Sequence, residues 1–350
     1  MLNVHPVILE DLDTIIQEKI EWEKLRNSTV MITGANGMIA SYICWTLLRL
    51  NDKYNFNIKV VGLVRNFEKA KTKFANNLER NDFEIVVQDV CEKITYTNKI
   101  DYIIHAASQT SPHQFLNNPV ETLNTNTIGT KNMLELGVDK EVKGFMCLST
   151  REIYGTMQNG QRFVKENELG AMDPALVRSC YPEGKRVSET FCIAYKEQYG
   201  LNCKIARIAH TYGPGMEISD GRVVGDFLGN VINKENIIMN SDGSNVLALT
   251  YISDVIGGLL RLLLEFKDTT YNISSNKSIL TVKELAVKLV NIFSDRNMDI
   301  EFKALDEKMS QGYLKNIVPL LDSNKAYEEN WETSIGIEEG FKRTVRYYEE

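Results

Sequence analysis

The chain has 350 residues, 43% of them hydrophobic and 25% charged, with a formal net charge of −7. This composition is ordinary for a folded globular protein and argues against a disordered chain. The acidic balance speaks against nucleic acid as a partner, because a binder of that kind presents a basic face.

Several smaller features bound the problem further. The run holding Lys69, Lys71 and Lys73 is short and mixed, and it reads as a solvated helix face. The six cysteines form no Cys-x-x-Cys pair, so no metal site is expected. Several lie in apolar runs such as Phe145-Met146-Cys147-Leu148, as buried thiols in a reducing cytoplasm would. The N-terminus carries no secretory leader pattern. No apolar run approaches the roughly 18 residues a membrane span requires, so no membrane is expected as a partner.

In chain order, Leu9, Leu12, Ile16 and Ile20 recur at helical spacing with acids between them. That pattern predicts an amphipathic helix against the body, in an N-terminal extension of residues 1–27. Thr29-Val30-Met31-Ile32-Thr33 reads as a buried parallel strand. Helix, strand and helix are then expected at Met38 to Leu50, Ile58 to Val64 and Phe67 to Arg80. Strands follow at Phe83 to Val87 and Asp101 to His105, then a long helix from Pro119 to Leu136 and a strand over Phe145 to Ser149. A helix over Tyr181 to Tyr199 leads to a strand over Lys204 to Ile208.

The alternation predicts an α/β fold, a Rossmann-type doubly wound parallel sheet spanning residues 28–210. Beyond residue 210 the rhythm shortens, and helices are expected at Val223 to Ile232, Asp254 to Phe266 and Val282 to Phe293. Residues 211–350 are therefore read as a smaller C-terminal α/β substrate-binding part, interleaved with the first.

Between the first strand and first helix stands Thr33-Gly34-Ala35-Asn36-Gly37-Met38-Ile39-Ala40. Gly34 permits the tight turn, Gly37 lets the backbone approach a pyrophosphate, and Ala40 lets the helix pack closely on the strand. The helix N-terminus then faces the anion, with Asn36, Met38 and Ile39 around it. The flanking strand and helix are the context that gives a glycine turn this meaning. An acid after the second strand would select NAD and an arginine NADP. Here Val64-Arg65-Asn66 stands there, so NAD is expected and Arg65 keeps NADP open. Asp89 and Val90 are placed beside the adenine, and Ala106, Ala107 and Ser108 along the diphosphate and nicotinamide.

Tyr181 and Lys185 stand at i and i+4, on one helix face. A neighbouring ammonium and the positive cofactor ring would favour tyrosinate and lower the Tyr181 pKa. Such a tyrosine can take a proton from a sugar hydroxyl while hydride leaves the carbon. Ser149-Thr150, at the end of a buried strand, are placed to hold that hydroxyl.

With these residues in view, the chain resembles the extended short-chain dehydrogenase/reductase family, and within it the UDP-glucuronate decarboxylase branch. Four stretches carry the resemblance: His105-Ala106-Ala107-Ser108 with Ser111-Pro112; Asn117-Asn118-Pro119 leading to Thr125-Asn126-Thr127-Ile128-Gly129-Thr130; Arg178-Ser179-Cys180-Tyr181-Pro182-Glu183-Gly184-Lys185-Arg186; and Thr211-Tyr212-Gly213-Pro214 leading to Gly221-Arg222-Val223-Val224. The resemblance implies that Thr150, Tyr181 and Lys185 perform oxidoreduction and that Glu152 is an acid/base beside the sugar. It puts Asn126 near the cofactor and Arg222 at the nucleotide diphosphate. It also implies a nucleotide-sugar substrate, and a homodimer through the helices at Pro119 to Leu136 and Tyr181 to Tyr199, with Met133, Leu134 and Ile193 as contacts.

The chain departs from its relatives in four places. Thr150-Arg151-Glu152 puts an arginine where 4,6-dehydratases carry an acid and the decarboxylases a serine. A permanent cation cannot protonate a leaving hydroxyl, but it can bind a carboxylate. In the C-terminal segment 312–319, Lys315 is the sole cation, where decarboxylases place an arginine. His210 replaces an asparagine, and Val246-Leu247-Ala248-Leu249 lacks an arginine. The expected chemistry is oxidation at sugar C4 followed by reaction at C5 or C6. A 4-epimerase, a 4,6-dehydratase and a non-catalytic dinucleotide sensor remain the alternatives.

Overall fold

The computed structural model describes residues 1–110, 116–157, 161–218, 221–303 and 319–350. Lys315 and the Ser111-Pro112 pair lie outside the described residues.

Seven parallel strands form the central sheet: β1 (Thr29–Thr33), β2 (Lys59–Val64), β3 (Phe83–Val87), β4 (Tyr102–His105), β5 (Gly144–Thr150), β6 (Cys203–Ile208) and β9 (Thr270–Ile273). Their spatial order is β3-β2-β1-β4-β5-β6-β9. The strands are nearly continuous apolar runs because helices cover both faces. The first helices are α1 (Pro6–Gln17), α2 (Met38–Tyr54) and α3 (Phe67–Phe74). A helical stretch α4 covers Pro119–Asn124, a π-helical turn at Thr125–Gly129, and Thr130–Asp139. Further helices are α5 (Cys180–Tyr199), α6 (Ile252–Leu264) and α7 (Ile337–Glu349). The chain order reverses between β1 and β4, so the crevice at their C-terminal ends is the fold's ligand position.

A second sheet joins β7 (His210–Tyr212), β8 (Val246–Tyr251) and β10 (Ile279–Thr281). The residues after 210 do not stand apart. They return β9 to the edge of the main sheet against β6, and α6 packs along β5, β6 and β9.

The N-terminal helix departs from the pattern read in the sequence. Asp11 is not on its solvent side. It is buried, and its carboxylate accepts from the hydroxyls of Tyr42 at 3.0 Å and Tyr251 at 2.9 Å and from Arg343 at 2.9 Å. One acid thus ties together α1, α2, β8 and α7. Burial pushes its carboxyl up to about 6, against the pull of Tyr251, Arg343 and Tyr42. Met133 and Leu134 are also fully buried, in the core between α4 and the sheet, so they are not contacts to a second copy. The α3 lysines differ in the same way: Lys69 and Lys71 are exposed, but Lys73 is half-buried.

Just past α1, Glu18 approaches Arg261 of α6 at 3.7 Å, in space left by Gly257. Burial raises its carboxyl from 4.5 to about 7, opposed by Arg261. Between those values the unfolded chain has already lost the proton that the folded chain keeps. This part of the stability is present below pH 4.5 and fades as pH rises towards 7. Glu18→Gln removes the effect, and Arg261 keeps its 2.8 Å partner Glu265. Thermal melts should show the variant more stable than the parent at pH 8 and no different at pH 4. A gain at both values, or none at pH 8, would contradict the assignment.

Candidate active site

At the switch point the backbone itself makes the cradle. Gly34 adopts φ +64°, and a Cβ there would lie 2.9 Å from the Cα of Ala107. No other residue satisfies both the left-handed turn and the close approach of the β4 loop. Gly37 caps α2 without a side chain, so the first-turn amides of α2 face the crevice. Asn36, Met38 and Ile39 are half-buried around this turn.

A buried network fixes the floor. Thr33 Oγ1 accepts from the amides of Ala106 at 3.1 Å and Ala107 at 3.0 Å. Its own proton therefore goes to His105 Nδ1, 2.9 Å away, and His105 Nε2–H donates to Thr130 Oγ1 at 3.2 Å. This tautomer follows from counting donors. Burial and the charge of Lys185 push His105 down to about 3, so the ring stays neutral.

Asn126 sits in the π-helical turn and is fully buried. Its Oδ1 accepts from Ser108 at 2.8 Å, its carbonyl accepts from Ser188 and Thr130, and its Nδ2 has no partner among the described residues. A buried amide donor of this kind calls for an acceptor in the crevice. The residue after Asp89, Val90, packs against Gly129 in the same turn, where a Cβ would stand 2.7 Å from Val90 Cγ2. Asp89 itself accepts from the amide of Cys91 at 2.8 Å. Arg65 is exposed at the end of β2, and its charge reaches Cys91. A side-chain-free turn, open helix amides and an unpartnered amide donor together fit a dinucleotide.

The reactive group stands on β5 and α5. Thr150 ends β5, and the Tyr181 hydroxyl hydrogen-bonds its side chain. Lys185 is buried one turn further along α5, donating from Nζ to the carbonyl of Leu148 at 2.8 Å. α5 approaches the π-helical turn this closely because Gly184 lies against Asn126, where a Cβ would be 3.1 Å from Asn126 Cβ.

Two expectations need correction. In the protein by itself the Tyr181 hydroxyl is raised, because burial and the charge of Glu152 outweigh Thr150, Arg178 and Arg222; the lowering expected from the cofactor ring concerns the loaded site. Lys185 is turned to Leu148 and does not supply the expected shift; burial lowers its own pKa. Ser149 does not share the Thr150 role either. Neighbours on a strand face opposite ways, and Ser149 donates to Glu189 at 2.5 Å, in the buried Glu189–Arg207 pair.

Beside Thr150, Glu152 is gripped by both terminal nitrogens of Arg178, at 2.9 and 3.1 Å. Arg151 reaches across to His210, with Nη2 3.2 Å from His210 Nε2. Arginine only donates, so His210 accepts at Nε2 and carries its proton on Nδ1, a buried atom with no partner among the described residues. Burial, then Arg151 and Arg222, hold His210 far below its ordinary value, and burial lowers Arg151 to about 10. Arg222 stands at the N-cap of the helix Val223–Asn233, close enough for its charge to act on both Tyr181 and His210. Thr150, Arg151, Glu152, Tyr181, His210 and Arg222 thus share one site. Arg178 and the His105 network were not singled out from sequence. Their signal is positional only: a cation three residues before the tyrosine, and a histidine ending a buried strand.

Residues 30–274 match the family described as the NAD dependent epimerase/dehydratase family. The chain belongs to that family. Among its relatives, UDP-glucuronic acid decarboxylase 1 of Danio rerio is 32% identical over 324 residues, 91% of this chain and 72% of that protein. UDP-glucuronic acid decarboxylase 3 of Arabidopsis thaliana is 34% identical over 316 residues, covering 90% and 87%. In fold, the chain resembles a UDP-glucuronic acid 4-epimerase from Bacillus cereus, solved with UDP-glucuronic acid and NAD. The TM-score is 0.74 at 20% identity, over 92% of this chain and 99% of that one. The NAD dependent epimerase/dehydratase members are enzymes acting on nucleotide sugars, and this chain is one of that class, with NAD as its cofactor.

If Gly34 is needed for both turn and clearance, Gly34→Ala should weaken NAD binding about tenfold or more. Calorimetric titration checks this, with circular dichroism to show that the sheet is retained. Unchanged affinity in a folded variant would place the dinucleotide elsewhere.

Proposed function

We propose that this protein is a UDP-glucuronate decarboxylase-like enzyme, converting the substrate through a C4 ketone. The observation that carries this reading is the buried Thr150–Tyr181–Lys185 group, set beside Arg151 in place of a proton-donating acid. NAD, which the glycine turn at Gly34 and the first-turn amides of α2 would hold, would supply a reversible hydride acceptor for sugar C4. Thr150 orients the C4 hydroxyl and Tyr181 receives its proton. Lys185, bonded to the Leu148 carbonyl, anchors the helix that carries Tyr181. Burial holds the Tyr181 proton on, so the step waits for substrate and cofactor to supply positive charge and displace water. In the resulting β-keto acid the C5–C6 bond breaks, carbon dioxide leaves, and the electron pair moves onto C5 and the C4 carbonyl. Glu152, held in orientation by Arg178, is the group we assign to relay to C5 the one proton the reaction consumes, which comes from solvent. Tyr181 then gives its proton back to the C4 oxygen.

The substrate side is cationic. Arg222 faces the diphosphate in this reading, and Arg151 with His210 faces the sugar carboxylate. Lys315 is the further candidate there. We also infer a homodimer. Apolar side chains are exposed on α4 (Val120, Leu123, Ile128) and on α5 (Val187, Ile193), and isolated monomers seldom leave such side chains grouped together.

Purified enzyme with NAD and UDP-glucuronate should yield a product lighter by carbon dioxide, read by mass spectrometry. Loss of water, or an unchanged mass with a changed NMR pattern, would overturn the decarboxylase reading in favour of dehydration or epimerisation. Tyr181→Phe should lower kcat by about 10²- to 10⁴-fold and leave NAD affinity intact. Light scattering should give twice the chain mass for the parent, and Ile193→Glu should shift the protein towards monomer. A monomeric parent would remove the dimer from the proposal.

A further inference from the structure

Relaying a proton to C5 is a task that the surroundings of Glu152 block as they stand. Both of its carboxylate oxygens are taken by the terminal nitrogens of Arg178, at 2.9 and 3.1 Å. A carboxylate held in such a planar fork has its oxygens turned to the guanidinium and not to a substrate carbon. The fork therefore has to open during turnover.

The pair is built so that it opens. Among the described residues no other donor meets the Glu152 carboxylate. By contrast, Glu189 is held by Arg207 through Nε and Nη2 and by Ser149 at 2.5 Å. The side chains of Arg178 and Glu152 keep 16% and 19% of their surface exposed, against 8% and 11% for Arg207 and Glu189. One pair is sealed, and the other borders the site. The charges of Arg178 and Glu152 both act on Tyr181 and on Arg151, which puts the pair beside the position of the sugar. Glu152 lies on the 3-10 turn Arg151–Tyr154, directly after Thr150, and Arg178 on the 3-10 turn Val177–Ser179, directly before α5. Both backbones are pinned. Arg186 donates to the carbonyls of Ile153 at 2.7 Å and Gly170 at 2.9 Å, and Ser179 Oγ donates to the carbonyl of Asp173 at 2.6 Å. A change of partner at Arg178 thus needs side-chain rotation alone.

We propose that Glu152 holds the place of the sugar's C6 carboxylate on Arg178, and that the two carboxylates trade places in each turnover. The proposal rests on the decarboxylase reading. The terminal nitrogens of a guanidinium fork one carboxylate at a time. On binding, the C6 carboxylate drawn in by Arg151 and His210 takes the Arg178 fork. Glu152 is released and takes up a proton from solvent. The C5–C6 bond then breaks, its electron pair moves onto C5 and the C4 carbonyl oxygen, and carbon dioxide leaves without charge. Arg178 has lost its anion and recaptures Glu152, whose proton passes to C5 as the enolate pair forms the C5–H bond. One proton enters and one carbon dioxide leaves. The loss of charge at C6 is what delivers the proton, so protonation follows decarboxylation.

Calorimetric titration of the NAD-loaded protein tests the exchange, in a Tyr181→Phe background that blocks turnover. The ligands are UDP-glucuronate and UDP-glucose, which carries a hydroxymethyl group at C6. Glu152→Gln removes the competing charge and keeps the side-chain shape. UDP-glucuronate should then bind about tenfold tighter, the scale of one charge-assisted hydrogen bond, with UDP-glucose unchanged. Arg178→Ala should weaken UDP-glucuronate by about tenfold or more and leave UDP-glucose as it was, which also reports a folded site. Arg178→Lys keeps the charge and loses the fork. It covers the case of a misfolded alanine variant and should show the same one-sided loss. A Glu152→Gln variant that binds UDP-glucuronate no tighter would overturn the exchange, as would arginine variants weakened equally for both ligands. If the parent enzyme releases no carbon dioxide from UDP-glucuronate, the decarboxylase reading itself falls. If it does, and Glu152→Gln leaves the affinity unaltered, the exchange falls alone.

Discussion

The junction of β1 with β4 is the constraint on which the rest of the structure depends. Two strands far apart in sequence end side by side, and the loop leaving one runs against the turn leaving the other. Gly34 tolerates this because it has no Cβ to meet Ala107. Thr33 then turns the contact into a bonded one, since its hydroxyl satisfies two loop amides that would otherwise be stranded in the interior. Its remaining proton carries the link through His105 to Thr130 of α4. The charge state of His105 matters here. A protonated ring would have no acceptor site for Thr33, so the burial that keeps it neutral also keeps the junction intact.

From that junction the order of the site propagates outward. Thr130 and Ser188 both donate to the carbonyl of Asn126, which joins α4 to α5 at the π-helical turn. The turn leaves Asn126 buried with both hydrogens of its side-chain amide unspent among the described residues. π-helical turns are often found at functional sites, and this one carries the buried, unpartnered Asn126 amide. Gly184 lets α5 press against Asn126, and the position of Lys185 under Leu148 follows from that contact. Deeper still, Glu189 is held by Arg207 and Ser149, so a fully bonded charge pair underlies the helix that carries Tyr181.

Much of this was legible in the sequence. Continuous apolar runs placed the parallel strands, and the period-3.6 pattern the long helices, to within a few residues, because each is driven by local burial of apolar side chains. The glycine turn and the Tyr181–Lys185 spacing were equally plain, since both are short-range patterns. What escaped were features set by tertiary packing. Asp11 carries no local sign that three distant groups will bury it. The same holds for Lys73, which reads as one of several surface lysines, and for Met133 and Leu134, whose apolar stripe faces the sheet and not a second copy. The Lys185 ammonium expected beside Tyr181 turns to the Leu148 carbonyl for a physical reason. Spacing at i and i+4 fixes a shared face, but not whether the ammonium turns to its neighbour or to a backbone carbonyl.

The electrostatics of the site run opposite to those of the chain. The whole sequence carries −7, yet the residues around Tyr181 are dominated by Arg151, Arg178 and Arg222, with Glu152 as the nearby carboxylate. It is this local field, concentrated in a low-dielectric crevice, that acts on a ligand; the net charge acts on solubility and long-range encounter. A site of this kind favours a substrate bearing several negative charges, as a nucleotide diphosphate with a carboxylate does. Arg151 makes the difference from an acid-bearing relative more than a lost proton donor. By donating to His210 Nε2 it fixes the ring as a neutral Nδ1–H donor, so a single replacement after Thr150 sets the hydrogen-bonding polarity of two side chains. The pair thus holds donors alone, an arrangement that complements a carboxylate and would leave a neutral hydroxymethyl group with nothing to accept its proton.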